Sequence, residues 1–499
     1  MLNKIKLAIK NSFIFSLGNI SSKIVGLILL PIITNKINLS EYGGLGIAEA
    51  TTQVLIAVFS LSLYIALDRW YWDKEYRDKQ KSMFFTVLIF VVFTSIIMII
   101  SFSLFLEPIS ILLFDTPNFT YLLMLMLITA GLQIVTQIPA TLMKLQQKPI
   151  LFSVSNLIRF IFNLVFTIYF IVVLDKKVIG IYEGILVGNL IYLLILSRYT
   201  FKNIEFKLEL KILREMFNFS APLILSSIGG VLLTYIDRYS LRALSEYSEI
   251  GLYAFGYKIA NTIKVFIVRS SQLALSPMKY KMMDEKGNKR FYQKSATYLV
   301  LIVTFCAIGL SLFSMELIKV VATNHDYWDA YKIVPFISFS IIFIALRNSI
   351  GIGLNIAKKT KILASILIGM AVLNLILNII LIPYFDSYGA AFATLLTHLI
   401  FFIVHYKISQ KHYYVPYEIN KITKMILLAV FIVGISFISS NWELLYRLLF
   451  KTALLFSFPI LLYFIKFYDD VELYRIQGSW NKWKKPGNWK KNISKTKIK

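Results

Sequence analysis

Runs of about twenty mostly apolar residues recur from Ser12 almost to the end of the chain, separated by short polar connections. Roughly that length of helix is needed to cross the hydrocarbon core of a bilayer. In lipid, backbone N–H and C=O groups must be satisfied within the segment, so such runs fold as helices. Length and apolarity predict spans at 12–33, 43–67, 82–106, 119–140, 150–174, 178–198, 216–237, 250–272, 296–315, 332–356, 362–382, 389–408, 422–439 and 445–466. The expected fold is an all-α polytopic membrane protein of about 14 transmembrane helices. Only 16% of the 499 residues are charged, against about 25% in a soluble domain, and no stretch remains for a globular catalytic domain. The single cysteine, Cys306, lies in an apolar run, which excludes a disulfide framework and leaves it a packing role. Lys4, Lys6 and Lys10 before the first run resemble the start of a signal peptide. That run is too long, carries Asn19, Ser21, Ser22 and Lys23, and lacks a small-residue cleavage site, so it is read as a retained first helix.

The basic residues test this segmentation, because cytoplasmic loops of membrane proteins are enriched in Lys and Arg. With the N-terminus taken as cytoplasmic, and with bases in about the outermost three residues of a span counted with the adjoining connection, alternate connections and the two tails hold 38 of the 53 basic residues and the opposite side holds 8. The expected topology is multi-pass in a bacterial cytoplasmic membrane, with both termini cytoplasmic. The same asymmetry accounts for most of the net charge of +26. In the tail, Trp480, Trp483, Lys484, Lys485, Trp489, Lys490 and Lys491 interleave aromatic with basic residues. After a last helix such a segment suits anionic headgroups; the expected tail partners are anionic membrane lipids, and no nucleic acid.

The chain also repeats itself. Phe13, Ile14, Phe15, Ser16, a helix, and Leu39, Ser40, Glu41, Tyr42 recur as Phe217, Asn218, Phe219, Ser220, a helix, and Leu244, Ser245, Glu246, Tyr247. The offset is six helices, an even number, so both copies enter the membrane from the same side. That predicts parallel repeats around a central cavity: a six-helix lobe at 1–200, a second at 201–410, two added helices at 411–466 and a basic cytoplasmic tail at 467–499.

Ionisable residues at mid-membrane are costly and mark partners or water-filled paths. Lys23, Arg159, Lys258, Lys264 and Arg347 fall deep within their spans, while Arg269 is near enough to a helix end to snorkel. Glu49 and Glu183 are the immersed acids, and Asp237 and Arg238 stand at the outer end of the seventh span. At 100° per residue Lys258 and Arg269 are about 20° apart and Lys264 points about 120° away from Lys258. The excess of bases predicts a cationic cavity for an anionic group, most plausibly phosphate. Pairing of each base with Glu49, Glu183 or a helix-end carbonyl is the alternative for any one of them. Asn19, Ser21, Ser22, Thr51, Thr52, Gln53, Asn374 and Asn378 either line a hydrated site or bond between helices. Glu49, Glu183 and Asp237 are the candidates for coupling to an ion gradient.

No constellation for catalysis is present. Convergent carboxylates, a nucleophile with its base and a phosphate loop are lacking, and His398, His405 and His412, though spaced by seven, have no acidic companion. The expectation is a non-enzyme with no metal and no cofactor. The segments FIFSLGNISSKIVGLILLPIIT (13–34), LSEYGGLG (39–46) and NLILNIILIPYFDSYGAAFATLL (374–396) resemble the bacterial oligosaccharide repeat-unit flippases of the multidrug/oligosaccharidyl-lipid/polysaccharide exporter superfamily. The resemblance implies alternating-access flipping of an undecaprenyl-pyrophosphate-linked oligosaccharide for O-antigen, capsule or a related glycan. Lys23, Arg159, Lys258, Arg347, Lys264 and Arg269 would hold the headgroup, with a glycan polymerase and other polysaccharide-assembly proteins as partners. Export of drugs or another lipid-linked precursor, and a membrane glycan polymerase, are the alternatives. Peptidoglycan-precursor flippases carry an arginine cluster in their first helices; this chain has only Lys23 in the first and no base in the second.

Overall fold

The computed structural model describes residues 26, 28–283, 285–357 and 359–483; among these there is no strand. Lys23 and the lysine-rich end of the tail lie outside the described residues. In chain order the helices are α1 (Leu30–Lys36), α2 (Leu39–Phe59), α3 (Leu63–Trp70), α4 (Gln80–Ser103), α5 (Leu106–Phe114), α6 (Thr120–Leu145), α7 (Pro149–Ile168), α8 (Lys177–Asn203) and α9 (Leu210–Leu244). There follow α10 (Tyr247–Ile263), α11 (Ser270–Lys281), α12 (Asn288–Leu312), α13 (Ser314–Val321), α14 (Ile333–Ile350), α15 (Ile352–Ile356), α16 (Thr360–His412), α17 (Ile419–Ser436), α18 (Leu444–Phe464) and α19 (Asp470–Trp483).

Eleven helical stretches among the described residues are long and apolar enough to cross a membrane, so the number fourteen is not reproduced as such. The differences are physical. Most of the first predicted span lies outside the described residues. The spans predicted at 362–382 and 389–408 run together as α16, broken at Asp386 by a backbone of φ 48° and ψ −129°. The span predicted at 250–272 is divided by a π-helical turn, Lys264–Arg269, between α10 and α11. The helices also run past the predicted ends; α9 continues to Leu244, seven residues beyond Asp237.

Close backbone approaches set the packing. On α8, a Cβ at Gly184 would stand 2.1 Å from Thr167 Oγ1 and one at Gly188 would stand 2.9 Å from the Arg159 carbonyl oxygen, so this glycine pair lets α7 lie directly against α8. A second contact joins the two copies of the repeated motif. A Cβ at Gly43 on α2 would fall 2.0 Å from the Tyr247 carbonyl oxygen, and one at Gly251 on α10 would fall 2.2 Å from that of Leu39. The motif itself starts α2: Asn38 accepts the Glu41 N–H at 2.8 Å while the Glu41 carboxylate accepts the Asn38 N–H at 3.1 Å, a capping box. The strained Asp386 turn is tied to the second copy, accepting from Ser245 Oγ at 2.5 Å, while Ser387 Oγ donates to Glu249.

At the other end of the bundle, Lys294 at the start of α12 gathers Glu418, Asp469 and Glu472 at 3.0, 2.5 and 3.1 Å, and Lys421 adds a second base. This cluster docks α19. The two ammonium groups hold the Asp469 carboxyl down at about 2, below the ordinary ~3.9. The contact therefore stabilises docking throughout the range above ~4 and is lost only as pH falls through about 2.

Two outcomes follow. Gly184→Val drives a side chain into the Thr167 backbone and should destabilise the detergent-solubilised protein by about 1–3 kcal/mol, read as a loss of monodisperse material on heating. Gly434→Val, at a position with open space around it, should not. At neutral pH, Lys294→Met should expose the 464–470 connection to limited proteolysis, whereas a shift from pH 8 to pH 5 in the unaltered chain should not.

Candidate functional site: a cation-bearing cavity between helices

Beneath the α2–α10 contact lies a cavity of about 380 Å³ walled by α1, α2, α6, α7, α8, α9 and α10. Its charged wall residues among those described are Glu49, Arg238 and Lys258. Lys258 Nζ stands 4.0 Å from Glu49 Oε1, and both side chains keep access to the cavity, being 30% and 44% exposed. The ammonium also lies 5.8 Å from the centre of the Tyr42 ring. That ring is fixed by edge-to-face contacts with Phe255 and Tyr327, and Tyr327 donates its hydroxyl to the Ile37 carbonyl at 2.8 Å.

Arg238 is held differently. Its guanidinium lies 4.8, 5.2 and 6.0 Å from the ring centres of Tyr235, Tyr257 and Tyr253, with one weak bond at 3.4 Å to the Thr234 carbonyl. Aromatic faces stabilise the cation without consuming its donors, and Nε has no hydrogen-bond partner among the described residues. Two cations against one carboxylate leave the wall with an excess positive charge, Lys258 reaching the cavity and Arg238, 4% exposed, set back among its tyrosines. Thr52, Gln53, Gln133, Asn163, Asn261 and Thr262 supply neutral polar lining.

Asp237, one residue before Arg238 and about 100° round the helix, turns off the cavity wall. It is 1% exposed. Its carboxylate accepts from Tyr253 Oη, from Thr394 Oγ1 at 2.8 Å and from Asn378 Nδ2 at 2.8 Å. Asn378 Nδ2 lies 3.4 Å from Asn374 Oδ1, and Asn374 Nδ2 lies 3.3 Å from Thr397 Oγ1. The network ties α9 and α10 to α16.

The other sequence candidates are dispersed. Arg159 packs over Tyr192 at 5.1 Å and Arg347 over Phe401 at 4.3 Å; neither is on the cavity wall. Lys264 begins the π turn, off that wall, and Arg269 at its end is exposed, within electrostatic reach of Tyr235 and Tyr257. Glu183 is paired with Lys176 at 2.8 Å and accepts from Tyr121 Oη at 3.1 Å, near the start of α8. Lys23 lies outside the described residues. No group of three or more His, Cys, Asp or Glu among the described residues is arranged to hold a metal. The sequence places Arg238 only at a helix end, and it does not single out the wall tyrosines Tyr42, Tyr182, Tyr235 and Tyr257. The predicted span stops at Asp237, whereas α9 continues to Leu244, where the repeated motif begins.

A family model described as a polysaccharide biosynthesis protein matches residues 8–283. The chain is 32% identical to an uncharacterized membrane protein of Methanocaldococcus jannaschii over 38% of its own length and 36% of the relative's. It is 26% identical to a probable low-salt glycan biosynthesis flippase, Agl15, of Haloferax volcanii over 38% and 41%. These alignments thus span well under half of either relative. The fold is shared with the lipid II flippase MurJ in an inward closed conformation (TM-score 0.73, 15% identity, 91% of this chain and 100% of that one). It is shared also with an inward-facing multidrug resistance MATE transporter of the MOP superfamily (TM-score 0.66, 11% identity, 84% and 98%).

Asp237→Ala should strand the three donors that converge on it, at about 1–3 kcal/mol for each group left unsatisfied. Asp237→Asn, which keeps an acceptor, should lose less, and thermal unfolding of the purified protein separates the two.

Proposed function

Because the chain belongs to the polysaccharide biosynthesis protein family, we propose that it flips an undecaprenyl-pyrophosphate-linked oligosaccharide from the inner to the outer face of a bacterial cytoplasmic membrane. It is a multi-pass membrane protein with a flippase and transporter fold, not an enzyme. One observation carries the substrate reading: Arg238 and Lys258 line the cavity against a single carboxylate, Lys258 with access to it and the Arg238 guanidinium set in an aromatic cradle with no carboxylate partner among the described residues. A pyrophosphate supplies the missing negative charge and acceptors. The polar amides and hydroxyls of the wall suit the first sugars. Export of cationic drugs calls for acidic lining, whereas the one wall carboxylate among the described residues already faces Lys258.

The mechanism we infer is rocking of two six-helix lobes, 1–200 and 201–410, with 411–466 as an added pair and both termini cytoplasmic. The α2–α10 contact is the closed gate. Arg242, which pairs with Asp115 and donates to the Leu113 carbonyl at 3.1 Å, and Tyr247, which donates to the same carbonyl at 2.9 Å, brace it. Of the acids, Glu49 suits ion coupling best, since its carboxylate reaches the cavity while Asp237 and Glu183 are occupied by their partners. The remaining cations, Lys23, Arg159, Arg347, Lys264 and Arg269, would act on the headgroup along its path rather than at this wall.

Arg238→Ala and Lys258→Ala should each abolish surface glycan at unchanged protein level in the native host, and full glycan from both variants overturns the assignment. Glu49→Gln should flatten the dependence of flipping on pH or sodium in proteoliposomes; an unaltered dependence removes Glu49 from coupling.

A further inference from the structure

A smaller polar hollow of about 70 Å³ lies among α11, α12, α14 and α15, at the end of the bundle away from the α2–α10 contact. Its polar lining is Gln272 and Lys279 from α11, Asn348 and Ser349 from α14, and Asn355 from α15. Lys279 is only 8% exposed. Its ammonium donates to the Ser349 carbonyl at 3.2 Å and has no carboxylate partner among the described residues. A buried ammonium without a counter-ion is costly, and burial draws this one down to about 8, so at neutral pH it is still largely charged. The lysine is also held in place, because Tyr292 donates its hydroxyl to the Lys279 carbonyl at 2.8 Å.

The neighbours are amides. Asn348 Oδ1 is approached by Arg347 at 3.4 Å, which leaves its Nδ2 to point elsewhere. A hollow needs only about 10–15 Å³ to admit one water, so this one has room for several waters or for one compact anion. Clefts of this kind, basic and set between helices at a membrane boundary, take acidic headgroups.

We propose that this hollow is a binding site for a phosphate-sized anion, held by the Lys279 ammonium with the amide nitrogens of Gln272, Asn348 and Asn355. The phosphate belongs either to an anionic phospholipid headgroup or to a free ion. The site is separate from the central cavity, with which it shares no lining residue. Occupancy joins α11 to α14 and α15, and so stiffens the helices on the far side of the bundle from the closed gate.

The test is thermal unfolding of the purified full-length chain in zwitterionic detergent. One arm titrates inorganic phosphate at ionic strength held constant with gluconate. The other adds phosphatidylglycerol, with phosphatidylcholine as control. The unaltered chain should show a saturable rise in unfolding temperature in one arm or both. Response to phosphate identifies a free ion, and response to phosphatidylglycerol alone identifies a headgroup. Lys279→Met should raise the half-saturating concentration about tenfold or more, as loss of a charge-assisted bond requires. Asn355→Leu should raise it less, and Lys286→Met, at an exposed lysine, should leave it unchanged. Where Lys279→Met does not fold, Asn355→Leu decides. No saturable rise in either arm, or the same response in the Lys279 and Asn355 variants as in the unaltered chain, overturns the proposal.

Discussion

The crossing of α2 and α10 turns on two direct backbone approaches, and much of the architecture hangs on that. Gly43 lies on the Tyr247 carbonyl and Gly251 on that of Leu39, each at a distance that leaves no room for a Cβ. Contacts of this kind are Cα–H···O interactions worth about 0.5–1 kcal/mol each. The polar braces nearby, Arg242 with Asp115 and Lys177 with Glu41, are partly exposed and add little apiece. One end of the bundle is thus held shut by several small terms. Small terms would suit the opening that the proposed rocking calls for, because a reversible transition between two states cannot be separated by a large energy gap.

The helices that touch there also carry the site. Glu49 stands on α2 ten residues past Leu39, and Lys258 stands on α10 seven residues past Gly251, so the crossing sets their separation of 4.0 Å. Opening the crossing would change that distance. Arg238, on α9, is instead cradled by tyrosines from α9 and α10. An arginine on aromatic faces keeps its positive charge with no carboxylate to neutralise it, which is what the proposed phosphate reading requires.

Adjacent residues on α9 meet opposite fates. Arg238 turns to the cavity, and Asp237 turns to α16, where Asn378, Thr394 and Tyr253 saturate it. Two opposite charges side by side in sequence would read as an ion pair at a helix end. The 100° step of the helix separates them, and each finds its own environment.

The apolar runs by themselves determined the all-helical membrane fold, because a bilayer leaves a chain no other way to satisfy its backbone over twenty apolar residues. The polar interior, and Lys258 and Glu49 within it, were legible for a related reason: charge at that depth is costly enough to stand out in a sequence. What tertiary structure alone decided is which charges share a space. Lys258 and Arg238 reach one cavity, whereas Arg159 and Arg347, as deep in their spans, settle against Tyr192 and Phe401. Depth depends on position along one helix. Facing depends on how helices rotate and cross, and that is set by contacts such as Gly184 on Thr167 and Gly43 on Tyr247, between residues distant in the chain.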